Sequence, residues 1–118
     1  MLENAINKLI EDALKDIKAF PIYAEDKDPF VTYSVYPVTG GFVKQSQLEV
    51  KILSSDFEQI LEIQKKINDI FDMDDRTPSI YVDGIHLRSS LSGGGSMVDN
   101  DINMRENTLI YIINWKES

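Results

Sequence analysis

Leu2, Ile6, Leu9, Ile10, Ala13, Leu14 and Ile17 recur at spacings of three and four, with Glu3, Lys8, Glu11, Asp12, Lys15 and Asp16 between them. That period gives one apolar stripe on a helix, so it predicts a first amphipathic helix that Pro21 stops. Ile22 to Ala24 predicts a short strand before the polar loop Glu25 to Asp28. After Pro29 the period falls to two: Val31, Tyr33 and Val35 alternate with Thr32, Ser34 and Tyr36, which predicts a strand. Gly40-Gly41 is a pair that a primed two-residue hairpin turn accepts. Beyond it Leu48, Val50 and Ile52 alternate with Gln47, Glu49 and Lys51, so these two strands are expected to pair antiparallel.

Ser55 followed by Glu58 has the spacing of a capping box, and Phe57, Ile60, Leu61, Gln64, Ile67, Ile70 and Phe71 trace a second helix behind it. An acidic turn at Asp72, Asp74 and Asp75 follows, and Pro78 blocks continuation. Ile80, Val82, Ile85 and Leu87 flank Asp83-Gly84, the pattern of a small hairpin or a bulged strand. Gly93-Gly94-Gly95 and the polar run to Asn103 carry no periodicity; they predict a long flexible loop that orders only on assembly. Leu109, Tyr111, Ile113 and Trp115 close the chain in a strand apolar on both faces, since Ile110 and Ile112 lie between them. The second face of that strand is expected to be covered.

The order helix, strand pair, helix, strands predicts an α+β fold with a mainly antiparallel sheet of four or five strands. Two helices pack on one face, with a projecting hairpin and a long loop besides. No internal repeat or linker divides residues 1–118, which read as a single domain.

Composition narrows the function. The 118 residues carry 12 basic and 20 acidic side chains, a formal net charge of -8, so wrapping a phosphate backbone electrostatically is disfavoured. With no cysteine and one histidine, thiolate zinc sites, disulfide frameworks and cysteine nucleophiles are excluded, and serine triads and multi-histidine metal sites are poor fits. The uncharged stretches are too short for a membrane span, and Met1 to Asp16 is acidic where a signal peptide is basic and then apolar. These features predict a soluble cytoplasmic protein.

Asp99, Asp101 and Asn103 resemble the start of a calcium loop, but Met104 stands where a glycine is needed and Ile110 where a bidentate glutamate is needed. The glycine run lacks the lysine and the strand-to-helix context of a nucleotide cradle. His86, between Ile85 and Leu87, reads as an exposed sheet residue without a partner to orient it as a base. Asp72, Asp74 and Asp75 have the chemistry to hold magnesium or act as an acid and base, but acids at a helix C-terminus read first as a solvated turn. Tyr23, Tyr33, Tyr36, Tyr81 and Tyr111 are ordinary sheet aromatics that also suit a partner contact. No catalytic constellation emerges, which is the profile of an interaction or structural protein. Two alternatives stand beside it: a small carboxylate-dependent, metal-assisted hydrolase using Asp72, Asp74, Asp75, Asp99 or Asp101, and a monomeric adaptor that binds a peptide along a sheet edge.

Several phrases, taken in order, carry a resemblance across most of the chain. They are the N-terminal amphipathic helix, Pro21-Ile22-Tyr23, Asp28-Pro29-Phe30-Val31-Thr32-Tyr33, the strand entering a helix at Ser54-Ser55-Asp56-Phe57-Glu58, the glycine run, and the closing strand Asn107 to Trp115. In this succession the chain resembles the tail-terminator, or tail completion and head-tail joining, family of long-tailed phages and prophages. The resemblance implies a virion protein assembled in the bacterial host cytoplasm, with no catalytic residues, cofactor or metal. It implies a homo-oligomeric ring, commonly a hexamer, at the head-proximal end of the tail tube. Its partners would be the tail tube protein and a head-completion or connector protein; DNA would pass through the lumen without specific binding, and no membrane is involved. The expected interface residues are Val38, Gly40, Gly41 and Phe42 on the hairpin, and Gly93, Gly94, Gly95, Met97, Asp99 and Asp101 on the loop.

Overall fold

A computed structural model describes residues 2–14, 30–74, 76–99 and 104–117. Helix α1 (Leu2–Leu14) is followed by strands β1 (Phe30–Thr39) and β2 (Lys44–Ser54), helix α2 (Phe57–Phe71), and strands β3 (Ile80–Val82), β4 (Ile85–Asp99) and β5 (Met104–Glu117). The five strands form one antiparallel sheet in the order β1-β2-β5-β4-β3, so the α+β fold expected from the sequence is the fold observed. Putting β5 between β2 and β4 places the chain's most apolar strand at the centre, where both of its neighbours shield it.

The period-two pattern determines which side of the sheet is buried. Leu48, Val50 and Ile52 of β2 and Leu109, Tyr111 and Ile113 of β5 point to the helices and are buried. They meet Ile6, Ile10 and Leu14 of α1 and Ile60, Ile63, Ile67 and Phe71 of α2 in one apolar cluster. Burying a large aliphatic side chain of this kind contributes about 1.5–3 kcal/mol. The buried stripe of α2 includes Ile63, which the spacing argument missed. It leaves Phe57 and Leu61 exposed, because a stripe one residue wide meets the sheet. At the core's polar margin the Tyr111 hydroxyl donates to Asn68 Oδ1, and Tyr33 donates to Asn7 Oδ1 at 2.8 Å. Burial raises the pKa of both hydroxyls, reinforced at Tyr111 by Asp72 and at Tyr33 by Glu11 and then Glu3, so both remain donors.

Three local expectations need correction. The helix cap is Asp56, whose carboxylate accepts from Glu58 N at 3.0 Å, one position beyond the Ser55 expected from the box pattern. The connection between β1 and β2 is four residues, Gly40–Val43, and no two-residue primed turn; the register slips between Pro37 and Thr39, which lengthens the link. The primed turn lies instead between β3 and β4, where Asp83 (φ 53°) and Gly84 (φ 77°) both have the positive angles of that turn. The largest correction concerns the glycine run: Gly93–Gly95 are no loop but the middle of β4, paired with Ile110, Leu109 and Thr108. A backbone without side chains fits closely against β5, and the ladder's hydrogen bonds supply the order that periodicity did not signal. Asn100 to Asn103, the rest of that segment, lie outside the described residues, as do Ile17, Pro21 and the strand and loop expected over 22–28.

Ile110 and Ile112 project from the other side of the sheet, and no described element covers them. They are half-buried between neighbours in the sheet: Glu49 and Gly93 beside Ile110, Gln47 and Ser90 beside Ile112. Among the described residues, the apolar second face of β5 is sheltered by its flanking strands.

Candidate assembly interface

The strand register sorts the sequence-derived interface residues into two groups. Val38, Gly40, Gly41 and Phe42 surround the β1–β2 connection, at the end of the sheet where Lys44 pairs with Trp115 and Leu87 pairs with Trp115 from the other side. Gly93–Gly95 pair with β5 farther along, and Met97 and Asp99 lie where β4 faces Glu106 and Met104. From Trp115 to Glu106 is nine residues of strand, about 30 Å. The hairpin residues thus stand at one end of the sheet, the glycines near its middle and Met97 and Asp99 at the other end, and they do not form one site. Asp101 lies outside the described residues, and only the backbone of Met97 and Asp99 is described.

At the hairpin end the exposed apolar side chains are Tyr36, Val38, Phe42, Val43 and Tyr81; Phe42 is 81% exposed. Basic groups surround them. Lys116 lies over the Phe42 ring at 5.7 Å, Lys44 over the Trp115 ring at 4.9 Å, and His86 stacks on Tyr81 at 4.5 Å. Trp115 Nε1 is fixed by donating to Ser46 Oγ at 3.0 Å. An open cavity of about 270 Å³ lies among Val43, His86, Arg88, Trp115 and Lys116. Only Phe42 and the hairpin were legible from sequence; Lys44 and Lys116 were not, because they lie on β2 and β5, far apart in sequence. The signal in the sequence is that the face of β5 carrying Ile110 and Ile112 turns polar at Asn114 and Lys116.

The glycine stretch differs. Beyond β3, which pairs only with Ile85–Leu87, the outer edge of β4 is met by the link after α2: Met73 N donates to Ser89 O at 3.1 Å and Leu91 N to Asp72 Oδ1 at 3.2 Å. From Gly93 onward no described strand pairs with that edge. Gly93 and Gly95 have open space where a Cβ would stand, whereas a Cβ on Gly94 would overlap the carbonyl oxygen of Thr108.

Of the carboxylates that suit a hydrolase, Asp72 and Asp74 bind the backbone. Asp74 accepts from Arg76 N at 2.9 Å, Thr77 N at 3.0 Å and the Thr77 hydroxyl at 3.0 Å. The first of these does most to hold its pKa below the usual carboxylate range. Arg88 joins the same turn by donating to Thr77 O at 2.6 Å and Asp74 O at 2.7 Å. Asp72 is held by Leu91 N, and Asp75 lies outside the described residues. Among the described residues no three His, Asp or Glu side chains are grouped as a metal site would require.

No protein-family model matches the sequence, and no curated protein matches it. Comparison with solved structures finds a chain of the "Virion of native gene transfer agent (GTA) particle", with a TM-score of 0.63 over 98% of this chain and 97% of that chain. The two sequences are 9% identical. The likeness is therefore one of fold, over nearly the whole of both chains.

Proposed function

We propose that this protein is a structural component of a phage-like virion, and that it acts as a tail terminator. It forms a ring, of six subunits in our reading, on the head-proximal end of the tail tube, stops tube polymerisation and joins the tail to the head. Its neighbours are the tail tube protein and a head-completion or connector protein, and the acidic chain lets DNA pass without binding it specifically. It belongs to an infectious phage or a prophage-derived element, and it has no enzymatic activity. The observation that carries this reading is the end-to-end fold likeness to a chain of the gene transfer agent virion, in agreement with the resemblance drawn from the sequence.

Negative-stain microscopy of the purified protein, with and without tail tubes, tests it. Rings, free or seated on one tube end, are expected; a protein that stays monomeric and ignores tubes would overturn the reading. Phe42→Asp sharpens the experiment. An exposed side chain contributes less than about 0.5 kcal/mol to folding, whereas an aromatic anchor at an interface is worth about 2 kcal/mol or more. The variant is expected to melt as the wild type does and to form no rings. A variant that unfolds would place Phe42 in the core, and one that forms normal rings would remove the hairpin from the interface.

A further inference from the structure

A chain with a net charge of -8 repels its own copies, so self-association has to occur where the local sign reverses. The hairpin end is such a place. Lys44 and Lys116 lie over aromatic rings and pair with no carboxylate among the described residues, and Phe42 and Val43 stand exposed between them.

The complementary surface lies at the other end of the same molecule. Helix α2 begins there, beside the Ser54–Arg105 pair, about 33 Å along β2 from Lys44. Its first two turns expose Phe57 and Leu61, four residues apart on one stripe, with Glu58 and Glu62 on the adjacent stripe. Arg105 packs on the Phe57 ring at 4.6 Å, while Glu58 and Glu62 make no ion pair among the described residues. One end thus offers an apolar centre edged by Lys44 and Lys116, and the other an apolar centre with Glu58 and Glu62 along one side and Arg105 on the Phe57 ring.

We infer that the hairpin end of one copy docks on the first two turns of α2 of the next, with Lys44 and Lys116 facing Glu58 and Glu62. The second copy is the occupant because one chain carries both complementary halves, at opposite ends. A contact between two different patches of identical chains is head-to-tail, the kind that closes into a ring when the rotation allows. This inference rests on the ring reading above and names the surfaces that build it.

Charge reversal tests it on the full chain, followed by sedimentation and negative stain. Lys44→Glu with Lys116→Glu makes both ends acidic; Glu58→Lys with Glu62→Lys makes both basic. Each double variant is expected to associate at least about tenfold more weakly than wild type, with a melting temperature little changed because Lys116, Glu58 and Glu62 are exposed and Lys44 is only half-buried. Mixing the two double variants, or combining all four substitutions in one chain, restores complementary ends and is expected to restore assembly. Rings that persist in both double variants overturn this contact and leave the ring reading standing, as does a loss that neither mixing nor the fourfold variant restores. A wild-type chain that never self-associates overturns the ring reading and the contact together.

Discussion

Gly41 sits at φ 109° in the open connection between β1 and β2, with nothing within 4 Å of the place a Cβ would take. Gly94 lies inside β4 with the Thr108 carbonyl of β5 against that same place. The first glycine is needed only for its backbone angle; the second, at φ 158°, is needed above all for the room it leaves. In the sequence both belong to short glycine runs between apolar segments, and both read as interruptions. The sheet uses one to turn the chain and the other to bring two strands close. The difference teaches that a glycine's role follows from what stands opposite it, which only the strand register supplies.

The sharpest way to break this contrast is Gly94→Ala. The added methyl meets backbone, which cannot swing aside as a side chain would, so unfolding in urea is expected to show a loss of about 2–3 kcal/mol. An unchanged midpoint would mean that β4 does not approach β5 at Thr108 as described. Gly41→Ala comes next: it meets no atom but must hold a left-handed angle, an expected cost of about 1 kcal/mol by the same measurement. A loss as large as that of Gly94→Ala would show that the connection is packed and not open. Gly93→Ala and Gly95→Ala are the internal controls, flanking Gly94 but facing open space. Each is expected to change stability by less than about 0.5 kcal/mol. If either matches Gly94→Ala, the run as a whole, and not one close approach, limits the strand.

The smallest effect concerns pH. Asp74 closes the turn that Arg88 anchors to β4 just before the glycine run. Its pKa is lowered in the folded protein, so the stability it contributes is present above the unfolded carboxylate value near 4 and is lost as pH falls through the folded value. The side chain is fully exposed to solvent, so the contribution is small. Melting curves of the wild type and Asp74→Asn are expected to differ near neutral pH and to converge on the acid side. A difference that persists or grows with acid would assign the effect to another group.

The helices and strands with clear periodicity were legible because burial imposes that period on the sequence directly. Leu48, Val50 and Ile52, and Leu109, Tyr111 and Ile113, are the buried face that alternation indicated. The cap moved by one residue because Ser55 and Asp56 are both good capping residues, and the choice depends on where the preceding strand releases the chain. Of the candidate interface, Phe42 was legible as an aromatic beside two glycines. The lysines near it were not, since Lys44 and Lys116 come together only through the pairing of β2 with β5.

By itself the sequence determined the α+β class, the apolar faces of both helices and of β2 and β5, and the acidic balance that disfavours a grip on DNA. These follow from local period and composition, which act wherever the residues lie. The tertiary structure alone decided that a glycine run is a strand, that the hairpin and glycine residues stand apart along the sheet, and that Lys44 and Lys116 meet at the hairpin end of an acidic molecule. Each of these depends on residues far apart in sequence meeting through strand pairing, and pairing register is a property of the whole sheet.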